Sequence, residues 1–340
     1  MQPRFVLAGV LQREYLLPPH GRPLLDAPGG NLLYAAGGLR VWEADAPLGM
    51  DIGLLGRVGE DYPRAWLHDF KTRGFDIRGV RILPTPLDLR SFRVYSDALE
   101  AGFDNPVAHF VRRGLPFPKT LLGYQPPLPF QEDNQKPLPY APTVGDVPAD
   151  YLETTAVHFC PLDLTSHAQL LAFFQAGTAV TFTLDPAAGY MLPKFLKHLR
   201  SLLKGLTVFL PSEEELRALF WGQTNDLWAM AEELGTYGCE LIVIKCGARG
   251  QLLYDAAGKH RWQIPAYPAR VADPTGAGDA FCGGFLVGYR QGYNPLEGVL
   301  YGNISASLAV EGSGAFYPLE TLPGLARVRL EALREMVRKV

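Results

Sequence analysis

Ala272-Asp273-Pro274-Thr275-Gly276-Ala277-Gly278-Asp279-Ala280-Phe281 runs into Cys282-Gly283-Gly284-Phe285-Leu286-Val287-Gly288, a stretch of small and apolar residues. Thr275, Gly276 and Gly278 permit a tight turn, and the run that follows reads as a helix. Backbone N–H groups at such a helix start point where the positive end of the helix dipole points, which makes a site for an anion. Asp279 is the odd member, because phosphate repels a neighbouring carboxylate unless that carboxylate has a task such as taking a proton from an attacking hydroxyl. The combination points to phosphoryl transfer to an alcohol. The same residues also describe an ordinary turn with Asp279 capping a helix, so the rest of the chain has to decide.

Working outward, Pro28-Gly29-Gly30-Asn31 is followed by Ile52-Gly53-Leu54-Leu55-Gly56-Arg57-Val58-Gly59-Glu60-Asp61. The second run is strand-like and leads to a helical stretch at about 62–73 and the turn Gly74-Phe75-Asp76, a strand-helix unit of an α/β sheet. Further strand-like segments near 5–10, 156–159, 179–184, 207–210 and 241–244 alternate with helical stretches, which predicts a mostly parallel sheet with helices on both faces and ligands at the carboxyl ends of the strands. Two of those ends are polar. Asp185-Pro186 reads as a turn, with a place on the catalytic side as the other reading. Pro211-Ser212-Glu213-Glu214-Glu215 reads as a capping box, with Ser212 as N-cap and Glu215 three residues on.

The Thr275–Asp279 segment resembles the C-terminal signature of the ribokinase, or pfkB, family of carbohydrate and nucleoside kinases, and the 28–31 and 52–61 segments resemble its N-terminal signature. The resemblance implies a ribokinase-like α/β fold with a small β lid, and an ATP-dependent kinase that uses Mg2+ and phosphorylates a hydroxyl of a small molecule, a sugar or sugar derivative. By the same resemblance Asp279 is the base, and the amides of Gly276, Ala277 and Gly278 form an anion hole, with Thr275 beside it. Glu215 orients magnesium-bound water, and Ser212 stands where the family usually has Asn. Lys245, Gly247 and Gly250 border the nucleotide; for Lys245 and Arg249 a phosphate contact stands against simple solvation. Asn303 is a candidate adenosine contact. Asp273 is the expected ligand of a monovalent cation, K+, with further carbonyl ligands near Gly312-Ser313-Gly314-Ala315.

At the acceptor end, Gly29 and Gly30 are expected against the substrate, with Asn31 and Arg90 nearby; an ordinary loop is the other reading of the two glycines. Glu14 falls where a sugar-binding Asp is usual and Tyr34 near a position where sugar kinases often have Asn, which changes the reach and polarity of the pocket. The lid is expected from about 11–28 and 83–113. A noncatalytic pfkB-like protein that binds nucleotide or metabolite and acts through a partner is the alternative. A dinucleotide-dependent oxidoreductase is set aside, because no G-x-G-x-x-G follows the first strand.

The 340 residues, 47% hydrophobic, suffice for a large core, and no apolar run reaches the roughly 18 residues of a membrane span. The signatures span the chain, so one catalytic domain over 1–340 is expected. A net charge of -3 without a basic cluster argues against nucleic acid. The start, Met1 to Gly9, reads as a first strand rather than a signal peptide, and cytoplasmic residence is expected. Cys160, Cys239, Cys246 and Cys282 lack metal-site spacing and read as reduced, buried thiols. Nine prolines between Pro116 and Pro148 predict an extended surface insertion at about 114–150 that covers the site or meets another subunit. The resemblance allows a homodimer through the lid.

Overall fold

A strand covered on both faces needs an unbroken apolar run, and Phe5–Ala8, Ala156–Phe159 and Thr181–Leu184 are buried at every position. In this computed structural model, which describes residues 3–43, 51–96, 99–126 and 137–339, these runs are central strands.

The chain begins with β1 (Phe5–Ala8), β2 (Gln12–Leu17), β3 (Leu24–Gly29) and helix α1 (Asn31–Arg40). There follow β4 (Ile52–Val58), α2 (Arg64–Thr72), β5 (Phe75–Ile82), β6 (Arg90–Tyr95), β7 (Ala101–Gly102) and α3 (Pro106–Arg112). The middle of the chain supplies β8 (Ala156–Phe159), α4 (Leu164–Gln175), β9 (Thr181–Leu184), α5 (Leu196–Leu203), β10 (Val208–Phe209), α6 (Glu213–Leu219) and α7 (Leu227–Gly235). The last part holds β11 (Leu241–Lys245), β12 (Gln251–Asp255), β13 (His260–Ile264), α8 (Ala277–Gly292), α9 (Pro295–Ala309), α10 (Leu325–Arg334) and β14 (Arg338–Lys339).

One sheet has the order β14-β13-β12-β11-β10-β9-β8-β1-β4-β5, parallel from β11 to β5 and antiparallel from β11 outward to β14. Alternate residues of β1 enter opposite cores. Phe5 and Leu7 join the layer that holds α1, α8 and α9, whereas Val6 and Ala8 join the layer that holds α4, α5 and α7. The small residues of α8 serve its close packing on α1: a Cβ at Gly283 would lie 1.9 Å from the carbonyl oxygen of Ala35.

The second sheet, β3-β2-β6-β7, is built from the segments expected to form a lid. One face packs Tyr15, Leu17, Phe92 and Val94 against Phe110, Leu121 and Tyr124 of the same chain. The proline-rich segment holds short 3-10 turns at Lys119–Leu121, Val144–Asp146 and Ala149–Glu153, with no α-helix or strand among its described residues; its residues 127–136 lie outside them. Its returning end is tied down twice. Arg57 Nε donates to Asp146 Oδ2 at 2.6 Å, and the Leu138 N–H donates to Asp163 Oδ2 at 3.1 Å. Among the described residues no helix is long and apolar enough to cross a membrane.

Candidate active site

The carboxyl ends of β9, β10 and β11 converge on the N-terminus of α8. Gly276 precedes that helix with φ +72°, a left-handed backbone that glycine adopts without strain. It has a second reason to be glycine: a Cβ there would lie 2.1 Å from the ring of Tyr34. The first N–H groups of α8 have no partner within the helix, although that of Ala277 donates to the Pro274 carbonyl at 3.3 Å, and Asp279 stands in the first turn. Burial raises the Asp279 carboxyl to about 6, although Lys245 and Arg93 pull it down. Asp279 lines a cavity of about 290 Å³ together with Glu14, Tyr34, Asn31 and Arg93. Leu138, Tyr140 and Leu162 add an apolar and aromatic part to its lining.

Glu14 is 1% exposed. It accepts from the Gly30 N–H at 3.0 Å and from the Tyr34 hydroxyl at 2.8 Å. Burial raises its pKa while Arg93 and these hydrogen bonds oppose the rise. A Cβ at Gly29 would lie 2.1 Å from Glu14 Cδ. Gly29 and Gly30, the glycines expected against the substrate, lie against Glu14: Gly29 leaves room for its carboxylate and the Gly30 N–H donates to it. Asn31 reaches the cavity wall, yet its carboxamide accepts from the Val10 N–H at 2.7 Å and donates to the Pro161 carbonyl at 2.8 Å.

Arg90, expected at the acceptor, does not line this cavity. It pairs with Asp88 at 2.7 Å and donates to the carbonyls of Thr120 and Leu122. The cavity holds Arg93 instead. Strands β2 and β6 run parallel with Glu14 opposite Ser91 and Leu16 opposite Arg93, so Glu14 and Arg93 share one face and Arg90 shares the other with Phe92. That two-residue parity was the signal available in the sequence.

On the nucleotide side, Ser212 and Glu215 form the reciprocal capping box: the Ser212 N–H donates to Glu215 Oε2 at 2.7 Å and the Glu215 N–H to Ser212 Oγ at 3.2 Å. Burial raises Glu215 to about 7, with Asp185 adding to the rise. Lys245 is held in rather than solvated, with Nζ 2.5 Å from Asp185 Oδ2. Asp185, read as a turn, is a buried ion-pair partner whose carboxyl burial raises to about 6. Arg249 is exposed and pairs with Glu213. Gly247 and Gly250 close the turn after β11, where the Cys246 N–H donates to the Gly250 carbonyl at 2.8 Å.

Asn303, expected beside adenine, spends its carboxamide inside the protein. It donates to Gln251 Oε1 at 2.7 Å and to the Pro265 carbonyl at 2.8 Å, and accepts from the Tyr267 N–H at 2.9 Å. Thr275 donates from its hydroxyl to the Tyr95 hydroxyl at 3.0 Å, which ties the anion turn to β6. Asp273 accepts from the Thr275 N–H through Oδ1, while its Oδ2 and Ser313 Oγ are buried without a partner. Ser313 Oγ and the Ala272 carbonyl both lie against Gly21. Unpaired buried oxygens of this kind fit a monovalent cation. Among the described residues no three His, Cys, Asp or Glu side chains gather as a metal cage.

Residues 147–322 match the pfkB family carbohydrate kinase model. The chain is 30% identical over 292 residues to a cytidine kinase of Thermococcus kodakarensis, covering 86% of this chain and 90% of that one. Among solved structures it resembles a Burkholderia thailandensis nucleoside kinase in complex with inosine, at 19% identity, 96% coverage of both chains and a TM-score of 0.66. It also resembles a Xylella fastidiosa fructokinase with bound ATP, at 19% identity, 98% and 99% coverage and a TM-score of 0.66. These two likenesses show a shared ribokinase-like fold.

Proposed function

The chain belongs to the pfkB family of carbohydrate kinases, and on that premise we propose that it moves the γ-phosphoryl group of ATP to a ribose hydroxyl of a nucleoside, with Asp279 as the base. The observation that carries this reading is the placement of Asp279, which stands both in the first turn of α8 and in the wall of the cavity that holds Glu14, Tyr34 and Arg93.

The acceptor O–H gives its proton to Asp279 as the new O–P bond forms, and the bond to ADP breaks with its electron pair left on ADP. The amides of Gly276, Ala277 and Gly278 receive the charge that develops on the phosphoryl oxygens. Glu215 would hold Mg2+ through water, and the ion would supply further charge neutralisation. Asp273 and Ser313 would hold K+. Glu14, with Tyr34 fixing its carboxyl, accepts from ribose hydroxyls, and the wall of Leu138, Tyr140 and Leu162 suits a planar base. The cytidine kinase relative supports that choice over a free sugar. The small sheet serves as the lid that excludes water, and the whole chain as one catalytic domain.

The test is ATP consumption by the purified protein against nucleosides, free sugars and vitamin alcohols, with Asp279→Asn beside it. A nucleoside-dependent release of ADP that falls by orders of magnitude in the variant is expected. Turnover on free sugars alone would remove the nucleoside from the reading, and wild-type rates in Asp279→Asn would remove the base.

A further inference from the structure

Asp185 and Lys245 form a buried ion pair in which Lys245 has so far only an expected place beside the nucleotide and Asp185 has no part in the reaction. They stand at the ends of β9 and β11, with β10 between them in the sheet. Their contact is 2.5 Å, with side chains 4% and 14% exposed. Cys282 of α8 places Sγ 3.4 Å from the same carboxylate oxygen and 3.8 Å from the ammonium. The ammonium also meets the glycine turn, where a Cβ on Gly278 would lie 3.5 Å from Nζ. An ammonium has three N–H donors. Asp185 takes one and the weak acceptor Cys282 Sγ faces another, so one is left for the space above Gly278.

Desolvation makes such a pair a poor source of stability, since apolar groups of equal volume often do as well. Its value lies in where it puts the charge. Resting on the phosphotransfer reading above, we propose that Lys245 is a catalytic residue that donates to the transferred phosphoryl group, and that Asp185 is the positioning residue that keeps its ammonium on the anion turn. The ammonium loses no proton in the step; it neutralises the oxygens of the phosphoryl group while the acceptor O–P bond forms and the bond to ADP breaks. Burial alone pulls a lysine toward its neutral form, and the adjacent carboxylate reverses that pull, so the Lys245 pKa ends above the usual value.

Lys245→Met, Asp185→Asn, Asp185→Glu and the double variant Lys245→Met/Asp185→Leu test this by steady-state kinetics, by calorimetric titration with the ATP analogue AMP-PNP and Mg2+, and by thermal melting. Lys245→Met is expected to lower kcat by about 10²- to 10³-fold, the size of a lost oxyanion donor, with acceptor KM little changed and AMP-PNP bound more weakly. Asp185→Asn is expected to lower kcat by about 10- to 100-fold, and Asp185→Glu to recover part of the loss. The double variant, with two apolar side chains in place of the pair, is expected to melt near wild type and remain as slow as Lys245→Met. Wild-type kcat and AMP-PNP affinity in the double variant, or single-variant losses that only follow the folded fraction, would overturn the proposal. If no acceptor raises ADP release in wild type, the phosphotransfer reading fails by itself. The titration still decides the pair: unchanged affinity in Lys245→Met then overturns the proposal, and weakened affinity in both single variants supports it.

Discussion

Burial is the largest influence on the Asp279 carboxyl and raises it from 3.8 to about 6; Glu14 and Glu215 add to the rise, and Lys245 and Arg93 oppose it. A base must be deprotonated to act, so kcat/KM is expected to climb through about pH 6 and level off above it, with this acid limb absent from the residual activity of Asp279→Asn. The stability sign runs the other way. The folded protein holds this proton more tightly than the unfolded chain, so stability falls as pH rises from about 4 to about 6, by about 3 kcal/mol once both states are ionised. Asp279→Asn is therefore expected to melt above wild type at pH 7.5 and by a smaller margin at pH 5, while losing turnover. Melting curves at the two values check this, and a variant that melts lower at pH 7.5 would contradict the buried-charge account. At this scale the sequence shows where Asp279 stands, because it follows its glycines in the chain. It gave a poor view of Gly29, whose reason for lacking a side chain is a carboxylate fifteen positions earlier.

At the scale of elements, the pairing of β2 with β6 decides which arginine lines the cavity. Arg93 lies on the Glu14 face of the small sheet, and Arg90 lies on the face that packs against the 106–124 segment. Arg90→Ala breaks the Asp88 pair and two bonds to carbonyls. It is expected to cost about 1.5–3 kcal/mol of stability, the range for hydrogen bonds to charged groups, with kcat and acceptor KM close to wild type. Arg93→Met is expected to reverse the pattern: melting near wild type, and kcat/KM for the acceptor down by about a hundredfold, the smaller end of the cost of losing a donor at a reacting group. Chemical denaturation and acceptor kinetics on the two variants separate the roles. The strand period of two was legible in Arg90-Ser91-Phe92-Arg93, but which parity faced inward depended on the register with β2, which no local pattern states.

For the whole molecule, one face of the small sheet, the expected lid, packs against the chain's own Phe110, Leu121 and Tyr124. Light scattering is expected to give a single species near 37.4 kDa, and a mass twice that would mean association through some other surface. The sequence by itself determined what depends on neighbours along the chain. Apolar runs of strand length set the parallel sheet, Ser212 and Glu215 set a capping box through a three-residue spacing, and the glycine turn set the start of α8 with Asp279 in its first turn. Tertiary structure alone decided what depends on elements distant in sequence. It carried Asp185 and Lys245, 60 residues apart, into one ion pair. It spent Asn303 on Gln251 and the 265–267 backbone, and it brought Leu138 and Tyr140 from the proline-rich segment to the cavity wall. Backbone hydrogen bonding and side-chain periodicity act over a few residues and leave their trace in composition. A buried side chain takes whichever partner packing brings within about 3 Å of it, and the chain's order does not record that choice.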